Sequence, residues 1–432
     1  MNQTIRKRIE DINNGIVPEG YKQTPFGIFP CDWETDKTYG ELFEFNGSLS
    51  QSREELGEEG YAYLHYGDMH RNSFNKVSYE QYSRLPKVNI SLKGKEKYLM
   101  KDGDVAFLDA SEDLGGTSRC VLIDNPDNEP FFAGLHTIPA RETGNNFSKW
   151  YKQYITLPDF VKKQFQRLAC GFKVYGLNKD TIAKIDYAFP KDKTEQGKIA
   201  EILMKWDEMV ELQEQYIQKL ELRKKAIMKK LLTPKDGWEK WKLVDLVESM
   251  SSGGTPSTKN TEYYGGNIVW VSIDDMSKAG KYIDTSARKI TKLGLENSSA
   301  KLFPENTILY AMYASIGKTV ISTIPCTTSQ AILGIIVDKE KVDNQYLYYY
   351  LLNLQDKIIL QGQKGTQANL NKEMVEKFDI SLPKDLDEQK NISKILIRAD
   401  EEISLQKEKL AKIKEQRKAM QQYLLTGIVR VS

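Results

Sequence analysis

Two stretches of the chain place hydrophobic residues at alternating spacings of three and four. In the first stretch these positions are Leu203, Trp206, Val210, Gln213, Ile217, Leu220, Lys224, Ile227 and Leu231. In the second they are Leu396, Ala399, Ile403, Gln406, Leu410, Ile413, Arg417, Met420 and Leu424. This is the seam spacing of a coiled coil, and the polar breaks fall at matching places in both runs. The pattern predicts two long helices, each with the other as its expected partner.

Capping signals and helix breakers set the length of the two predicted helices. The sequence Asp-x-x-Glu at 192–195 and again at 385–388 is typical of a capping box at a helix start. Pro234 and Gly427 end the helices. Each helix covers about 39 residues, or roughly 58 Å at ~1.5 Å per residue, which exceeds most globular helices. Packing on a globular core is the alternative, but the strongly polar outer faces favour a coiled coil.

The long helices belong to an internal repeat. Residues 177–233 align with residues 370–426 without a gap, and 23 of the 57 positions are identical. Unrelated helices share period and composition, but not an ungapped match of this density. The chain is therefore a globular unit, a long helix, a second unit and a second long helix. The predicted boundaries are 1–190, 191–233, 234–383 and 384–432.

Each globular unit mixes strand-like and helix-like stretches in the same order. The predicted strands are 61–67, 103–110, 118–124 and 134–140 in the first unit, and 267–273, 306–313, 318–324 and 330–337 in the second. Residues 146–169 are predicted to form one or two helices, and residues 344–362 one helix. The expected fold class is α+β, with two mixed α/β domains that alternate with two long helices.

Composition and charge narrow the function only slightly. The 432 residues carry 62 Lys and Arg against 60 Asp and Glu, and this net charge of +2 argues weakly against a nucleic-acid protein. The surplus lies on the predicted long helices, while the globular units are acidic or neutral. The chain shows neither a long apolar run nor a signal-peptide pattern, so we expect a cytoplasmic protein without a membrane span.

The familiar catalytic signals are missing from the sequence. Residues 315–319 resemble the end of a P-loop, but the position that should hold its first glycine is Met312. The three histidines, His65, His70 and His136, lack helical metal-ligand spacing. We therefore expect a non-catalytic chain that binds no metal or cofactor of its own.

Polar residues at strand ends and in loops are candidate nucleic-acid contacts. Lysine suits guanine, glutamine suits adenine, aspartate suits the cytosine amine, and glycine-rich loops can bring backbone N–H groups close to phosphate. In the second unit the candidates are Ser252, Gly253, Gly254, Thr255, Ser257, Asp275, Lys278, Tyr313, Ser315, Lys318, Lys364, Thr366 and Gln367. In the first unit they are His65, Asp68, His70, Arg71, Ser111, Thr117, Ser118, Arg119 and Lys173. Singly, each is more often an ordinary surface residue, and the glycine-rich loop can equally be a plain flexible loop. Recurrence at equivalent points of both units favours binding.

Several motifs in the second unit resemble one protein family, the specificity subunits of Type I restriction–modification systems. The motifs, in chain order, are GGTPSTKNTEYYGGNIVWVSIDDM (253–276), ASIGKT (314–319), TSQAILGIIV (328–337), NQYLYYYL (344–351) and GTQANLNKEMVEKFDISLP (365–383). The segment 16–33 also looks like the family's entry to its first unit. The first unit departs at 110–119, where ASEDLGGTSR stands in place of ASIGKT. The resemblance covers nearly the whole chain.

The resemblance implies a function for each part of the chain. Each globular unit would recognise one half of a bipartite double-stranded DNA target, and the long helices would form an antiparallel coiled coil that sets the distance between the halves. Two copies of a DNA adenine methyltransferase subunit, which holds S-adenosylmethionine, would bind this chain, and a translocating restriction subunit would join them. The chain itself would supply no catalytic group.

Two other hypotheses stay open on the residues alone. The first is a coiled-coil scaffold that binds proteins through its globular ends, which would show no sequence-dependent retention of duplex DNA. The second is an enzyme fused to a rod, which would need a catalytic constellation that the sequence does not show.

Overall fold

The computed structural model describes residues 3–71, 75–78, 81, 84–362 and 370–431. The described helices are α1 Gln3–Asn13, α2 Tyr39–Leu42, α3 Tyr66–Arg71, α4 Asp159–Leu168, α5 Lys179–Ile182, α6 Lys193–Leu231, α7 Ile273–Lys278, α8 Lys292–Glu296, α9 Asn344–Gly362, α10 Lys372–Glu376 and α11 Leu386–Leu425. The strands before α6 are β1 Tyr21–Thr24, β2 Gly27–Pro30, β3 Trp33–Thr38, β4 Phe43–Phe45, β5 Tyr61–Leu64, β6 Lys76–Ser78, β7 Lys87–Val88, β8 Val105–Leu108, β9 Ala110–Ser111, β10 Cys120–Asp124, β11 Phe131–Ala133, β12 Thr137–Glu142, β13 Tyr175–Gly176 and β14 Asp186–Pro190. Those after α6 are β15 Glu239–Lys242, β16 Val247–Ser252, β17 Tyr264–Val271, β18 Tyr282–Ile283, β19 Arg288–Ile290, β20 Ile308–Ala311, β21 Thr319–Ser322, β22 Thr327–Thr328, β23 Ile332–Val337 and β24 Asp379–Leu382.

The chain forms two compact units, and one of them is made of two segments that are separate in the sequence. Unit 1 comprises Met1–Glu214 with Lys409–Ser432, and unit 2 comprises Gln215–Glu408. Each unit therefore contains one globular part and a portion of both long helices, α6 and α11. The predicted boundaries at 190/191 and 383/384 lie just before the starts of these helices.

Both units contain the same two sheets. In unit 1 a five-stranded sheet has the order β4-β12-β8-β10-β6 and a three-stranded sheet the order β11-β5-β7. In unit 2 the corresponding orders are β16-β23-β20-β21-β18 and β19-β17-β22. In each large sheet the last edge strand runs parallel to its neighbour, while the other pairs are antiparallel. The predicted α+β class with two repeated mixed domains and two long helices is confirmed.

The strands of unit 1 depart from the predicted pattern at three places, and the first is the predicted strand 61–67, which ends at Leu64 before α3 begins. Residues 146–169, predicted as one or two helices, form two helical segments, the 3₁₀ helix Lys149–Tyr154 and helix α4, because Pro158 disfavours helical geometry in the residue before it. The predicted strand 134–140 begins only at Thr137, since His136 adopts a positive φ of 61°. Residues 131–133 form a separate strand, β11, that the sequence pattern did not predict.

The long helices run antiparallel within each unit. In unit 1, Asp207 and Glu214 of α6 form ion pairs with Arg417 and Lys414 of α11. In unit 2, Glu221 of α6 forms an ion pair with Lys407 of α11. Eight seam side chains are buried, namely Leu203, Gln213, Ile217, Leu220, Leu396, Ile403, Ile413 and Leu424, and the other ten, among them Trp206, Val210, Gln406 and Leu410, are partly buried.

The start of each long helix is fixed to its globular part by one buried glutamine. The amide of Gln196 donates to the carbonyls of Asn146 and Pro190 at 2.8 Å, and its oxygen accepts from the N–H of Ser148 at 2.6 Å. Gln389 does the same in unit 2, with the carbonyl of Pro383 and the N–H of Asp343 at 2.8 Å. Because both glutamines are fully buried, their partners have no water to replace them.

Replacing Gln196 with alanine should destabilise unit 1 by about 2–4 kcal/mol, since several buried backbone groups would lose their partners. The measurement is denaturant unfolding of the full chain. Gln218→Ala is the matched control, because Gln218 is exposed on the same helix and its loss should change stability little. Equal stabilities for the two variants would contradict the anchoring role.

Candidate nucleic-acid interface

Three segments meet at one edge of each unit. In unit 1 they are the start of α3, the connection 109–119 and the turn 134–136; the N–H of Asp109 donates to the carbonyl of His136 at 3.3 Å. In unit 2 they are the start of α7, the connection 312–318 and the turn 329–331; the N–H of Met312 donates to the carbonyl of Ala331 at 2.9 Å. The two edges are therefore built from equivalent parts of the fold.

The short helices α3 and α7 show how the two edges differ. Both follow the central strand of the three-stranded sheet, and with the preceding residue they read His-Tyr-Gly-Asp-Met-His-Arg at 65–71 and Ser-Ile-Asp-Asp-Met-Ser-Lys at 272–278. The shared methionines, Met69 and Met276, are fully buried. The shared frame thus presents different polar and aromatic side chains in the two units.

Polar side chains come together at the edge of unit 2. The hydroxyls of Ser277 and Ser315 lie 3.3 Å apart, which joins α7 to the connection between β20 and β21. Lys318 donates to the carbonyl of Ala279 at 3.1 Å, and burial lowers the pKa of Lys318 below its ordinary value. Lys278 and Tyr313 are exposed, and Lys278 pairs with Asp274 at 2.7 Å. This edge therefore offers hydroxyl, ammonium and phenol donors.

Asp275 completes the capping box at the start of α7, whose N-cap residue is Ser272. One carboxylate oxygen accepts from the N–H and hydroxyl of Ser272 at 2.9 and 2.6 Å, and the other from the N–H of Ala287 at 2.9 Å. Burial would raise the pKa of Asp275, but these hydrogen bonds outweigh it and hold the pKa below the ordinary value. Because each oxygen already accepts a hydrogen bond within the unit, the geometry favours a structural role for Asp275, and its contact to a cytosine amine stays a prediction.

The two glycines of the glycine-rich loop direct their N–H groups to carbonyls of the same unit, so their contact with phosphate stays a prediction. The N–H groups of Gly253 and Gly254 donate to the carbonyls of Ile332 and Thr328, at 3.1 and 2.9 Å. A Cβ on either residue would lie within 2.4 Å of neighbouring atoms, so both glycines serve close packing. Ser252 ends β16 and is partly buried, whereas Thr255 and Ser257 are exposed beyond the glycines and stay predicted contacts.

Aromatic rings cluster around Tyr66 at the edge of unit 1. The ring centroids of His65, His70 and His136 lie 4.4, 6.3 and 5.4 Å from that of Tyr66. His136 also contacts Asp109, with Nδ1 3.1 Å from the carboxylate. All three histidines of the chain thus surround one tyrosine that is itself exposed.

Several predicted contacts in unit 1 instead hold the connection 109–119 in shape. The hydroxyl of Thr117 donates to the carbonyl of Leu114 at 2.7 Å, and that of Ser111 accepts from the N–H of Asp113 at 3.2 Å. These two residues and Ser118 are buried, which favours a structural role, and their contact with DNA stays a prediction.

The remaining candidates have different surroundings. Burial lowers the pKa of Arg119, which is only partly exposed, while Lys173 is exposed in the loop 171–174. Asp68 is partly buried on α3. Lys364, Thr366, Gln367 and the side chain of Arg71 lie outside the described residues.

Sequence reasoning missed Tyr66, Ser277 and the pairing of His136 with Asp109. The signal for the first two was the match between 65–71 and 272–278, which aligns Tyr66 with Ile273 and His70 with Ser277. Within the described part of the chain, no cluster of three or more His, Cys, Asp or Glu could hold a metal ion. None of the helices in that part is long and apolar enough to cross a membrane.

Sequence comparison relates the chain to known proteins. The profile of the Type I restriction modification DNA specificity domain matches residues 30–222 and 235–415. The putative type I restriction enzyme MjaX specificity subunit of Methanocaldococcus jannaschii is 24% identical over 96% of this chain and 97% of its own length. The EcoR124I/EcoR124II specificity subunit of Escherichia coli is 29% identical over 48% of this chain and 52% of its own length.

Two solved structures share the fold. The S subunit of a Type I restriction–modification system from M. genitalium has a TM-score of 0.50 at 16% identity and covers 91% of this chain and 96% of its own. A chain from a structure on complex assembly and conformational transition of the type I R-M system has a TM-score of 0.63 at 16% identity, with coverages of 93% and 99%. Because the domain profile matches twice and spans most of the sequence, this chain belongs to the Type I restriction–modification DNA specificity family.

Proposed function

We propose that this chain is the DNA-recognition subunit of a Type I restriction–modification complex, in which each unit reads one half of a bipartite duplex target. The observation that carries the proposal is the pair of equivalent edges with unlike side chains. The same three segments form each edge, yet one presents Tyr66 among three histidines and the other presents serines and lysines. Two sites that share one backbone arrangement but carry different side chains are suited to recognise two different base sequences.

The globular parts carry no net positive charge, and this affects how strongly they would bind DNA. Non-specific affinity for duplex DNA comes mainly from lysines and arginines that neutralise phosphates. Residues 1–190 and 234–383 have formal charges of −3 and 0. We therefore expect weak binding by the isolated chain, and partner subunits would supply much of the contact to phosphate.

The repeated helices support the proposed partners. Two identical subunits bind equivalent surfaces most readily, and each unit offers the same α6–α11 pairing. The proposed partners are two DNA adenine methyltransferase subunits, which would bind S-adenosylmethionine, and a translocating restriction subunit. This chain would direct their chemistry without supplying a catalytic group.

Exchanging residues 234–383 for the matching segment of another family member should change one methylated half-site and leave the other intact. The reason is that this segment forms its own sheets and edge within unit 2, and the side chains that it shares a core with belong to the repeated long helices and the residue that follows α6. Sequencing of methylated DNA from cells that express the complex gives the result. A change in both half-sites, or in neither, would contradict separate readers.

Two substitutions on helix α7 distinguish a residue that stabilises the fold from one that contacts DNA. They are Asp275→Ala and Lys278→Ala. Asp275→Ala removes a helix cap and should lower the unfolding free energy by about 1 kcal/mol. Because folding lowers the pKa of Asp275, this contribution is present above the ordinary carboxyl pKa and should fade below about pH 4. Lys278→Ala should leave stability unchanged and weaken binding of the complex to target DNA. Unfolding curves and binding titrations test both, and an unchanged affinity for Lys278→Ala would remove Lys278 from the interface.

A further inference from the structure

We propose that the loop 171–174 of unit 1 is an apolar wedge that places Phe172 against the bases of the first half-site. The proposal rests on the proposed function, because it assigns this loop to DNA. It adds a specificity-determining contact outside the three segments described above.

The side chain of Phe172 is unusually exposed. Its exposed fraction is 100%, whereas the next most exposed large hydrophobic side chain among the described residues, Leu222, is at 68%. Val174, two residues further along the same loop, is 52% exposed. A phenyl ring in water is unfavourable, so a surface that covers this loop would gain hydrophobic stabilisation.

The loop is closed and sterically constrained at its base. The N–H of Cys170 donates to the carbonyl of Gly176 at 3.1 Å, and the N–H of Gly176 donates back to the carbonyl of Cys170 at 2.8 Å. Gly171 has a φ of +140°, and a Cβ there would lie 1.9 Å from the carbonyl oxygen of Val174. The exposed ring therefore belongs to a built turn that only glycine permits.

The base of the loop is continuous with the candidate interface. Strand β13 directly follows the loop and pairs with β9, with Tyr175 opposite Ser111. A Cβ on Gly116 would lie 2.5 Å from the hydroxyl of Ser111 and 3.4 Å from the ring of His70. The N–H of Leu177 also donates at 2.7 Å to the carbonyl of Asp109, the residue that contacts His136. The loop thus adjoins the cluster around Tyr66.

The chemistry of the loop matches duplex DNA. Proteins that bend DNA insert apolar side chains between base steps, and aromatic rings stack on exposed bases. Lys173 stands beside Phe172 and is exposed, so an ammonium group is available to a phosphate next to the stacked ring. An apolar ring with an adjacent cation fits a base step and its backbone.

The test uses the complete complex with its partner subunits and the duplex that methylation sequencing identifies as its target. Phe172→Ala removes the wedge, Phe172→Trp keeps an aromatic ring, and Leu302→Ala is the control for loss of an exposed hydrophobic residue in unit 2. The readouts are affinity and the fluorescence of 2-aminopurine, placed in turn at positions of the first half-site other than the methylated adenine. This base becomes brighter when it is unstacked.

We expect Phe172→Ala to weaken binding about tenfold and to abolish the increase in 2-aminopurine fluorescence, because the stacking of a base on an aromatic ring stabilises the bound complex. Phe172→Trp should retain both signals, and Leu302→Ala should match the wild type. Unchanged affinity and fluorescence in Phe172→Ala would overturn the wedge. Loss of partner-subunit assembly in Phe172→Ala would also overturn it, since the loop would then contact protein. Failure of the wild-type complex to prefer its target duplex would instead refute the proposed function itself.

Discussion

A segment that pairs antiparallel with its own copy must be complementary to itself, and this constraint shapes both long helices. Two ion pairs between α6 and α11 in unit 1 have equivalents in unit 2 with the roles of the two helices exchanged. Asp207 of α6 pairs with Arg417 of α11, and the equivalent pair joins Asp400 of α11 to Lys224 of α6. Each position of the repeat therefore faces the same partner position in both units, once from α6 and once from α11. The residues at these positions have to be compatible in both units.

The charges obey this rule even where the residue types differ. Glu214 pairs with Lys414, and the equivalent positions hold Lys407 and Glu221, so the signs are reversed and the attraction is kept. The partly buried carboxylate of Asp207 also accepts a hydrogen bond from a tyrosine of its own unit, Tyr154, at 2.8 Å. Burial raises the pKa of Asp207, against the opposing effect of Arg417. A buried ion pair of this kind adds little net stability, but a mispaired register would leave the charge without a partner. The pairs therefore favour one register over others.

The sequence predicts the long helices and their repeat far better than it predicts the polar edge of each unit. The helices, their seams and the repeat follow from periodicity and self-similarity, which act locally along the chain. The roles of Asp275 and Gly253 could not be read in the same way, because the same residue type can cap a helix, permit close packing or contact a ligand. Only the placement of Ala287 and Thr328, distant in sequence, decides between these roles. The cluster around Tyr66 is hidden for the same reason, since His136 reaches it from a turn that is distant in sequence.

This division between the repeated long helices and the variable edges also explains why the formal charge of the chain is close to zero. Binding by phosphate contacts alone would favour a basic surface in both units, and would read no sequence. The globular parts instead carry balanced charges, and their edges differ in hydroxyls, rings and ammonium groups on a common backbone. Side chains at these edges can change without disturbing the cores, because the connections are held by their own hydrogen bonds, such as that between Thr117 and Leu114. The two long helices must stay complementary to each other while the recognised sequence changes. This requires that the side chains at the edges vary independently of the helices and the cores.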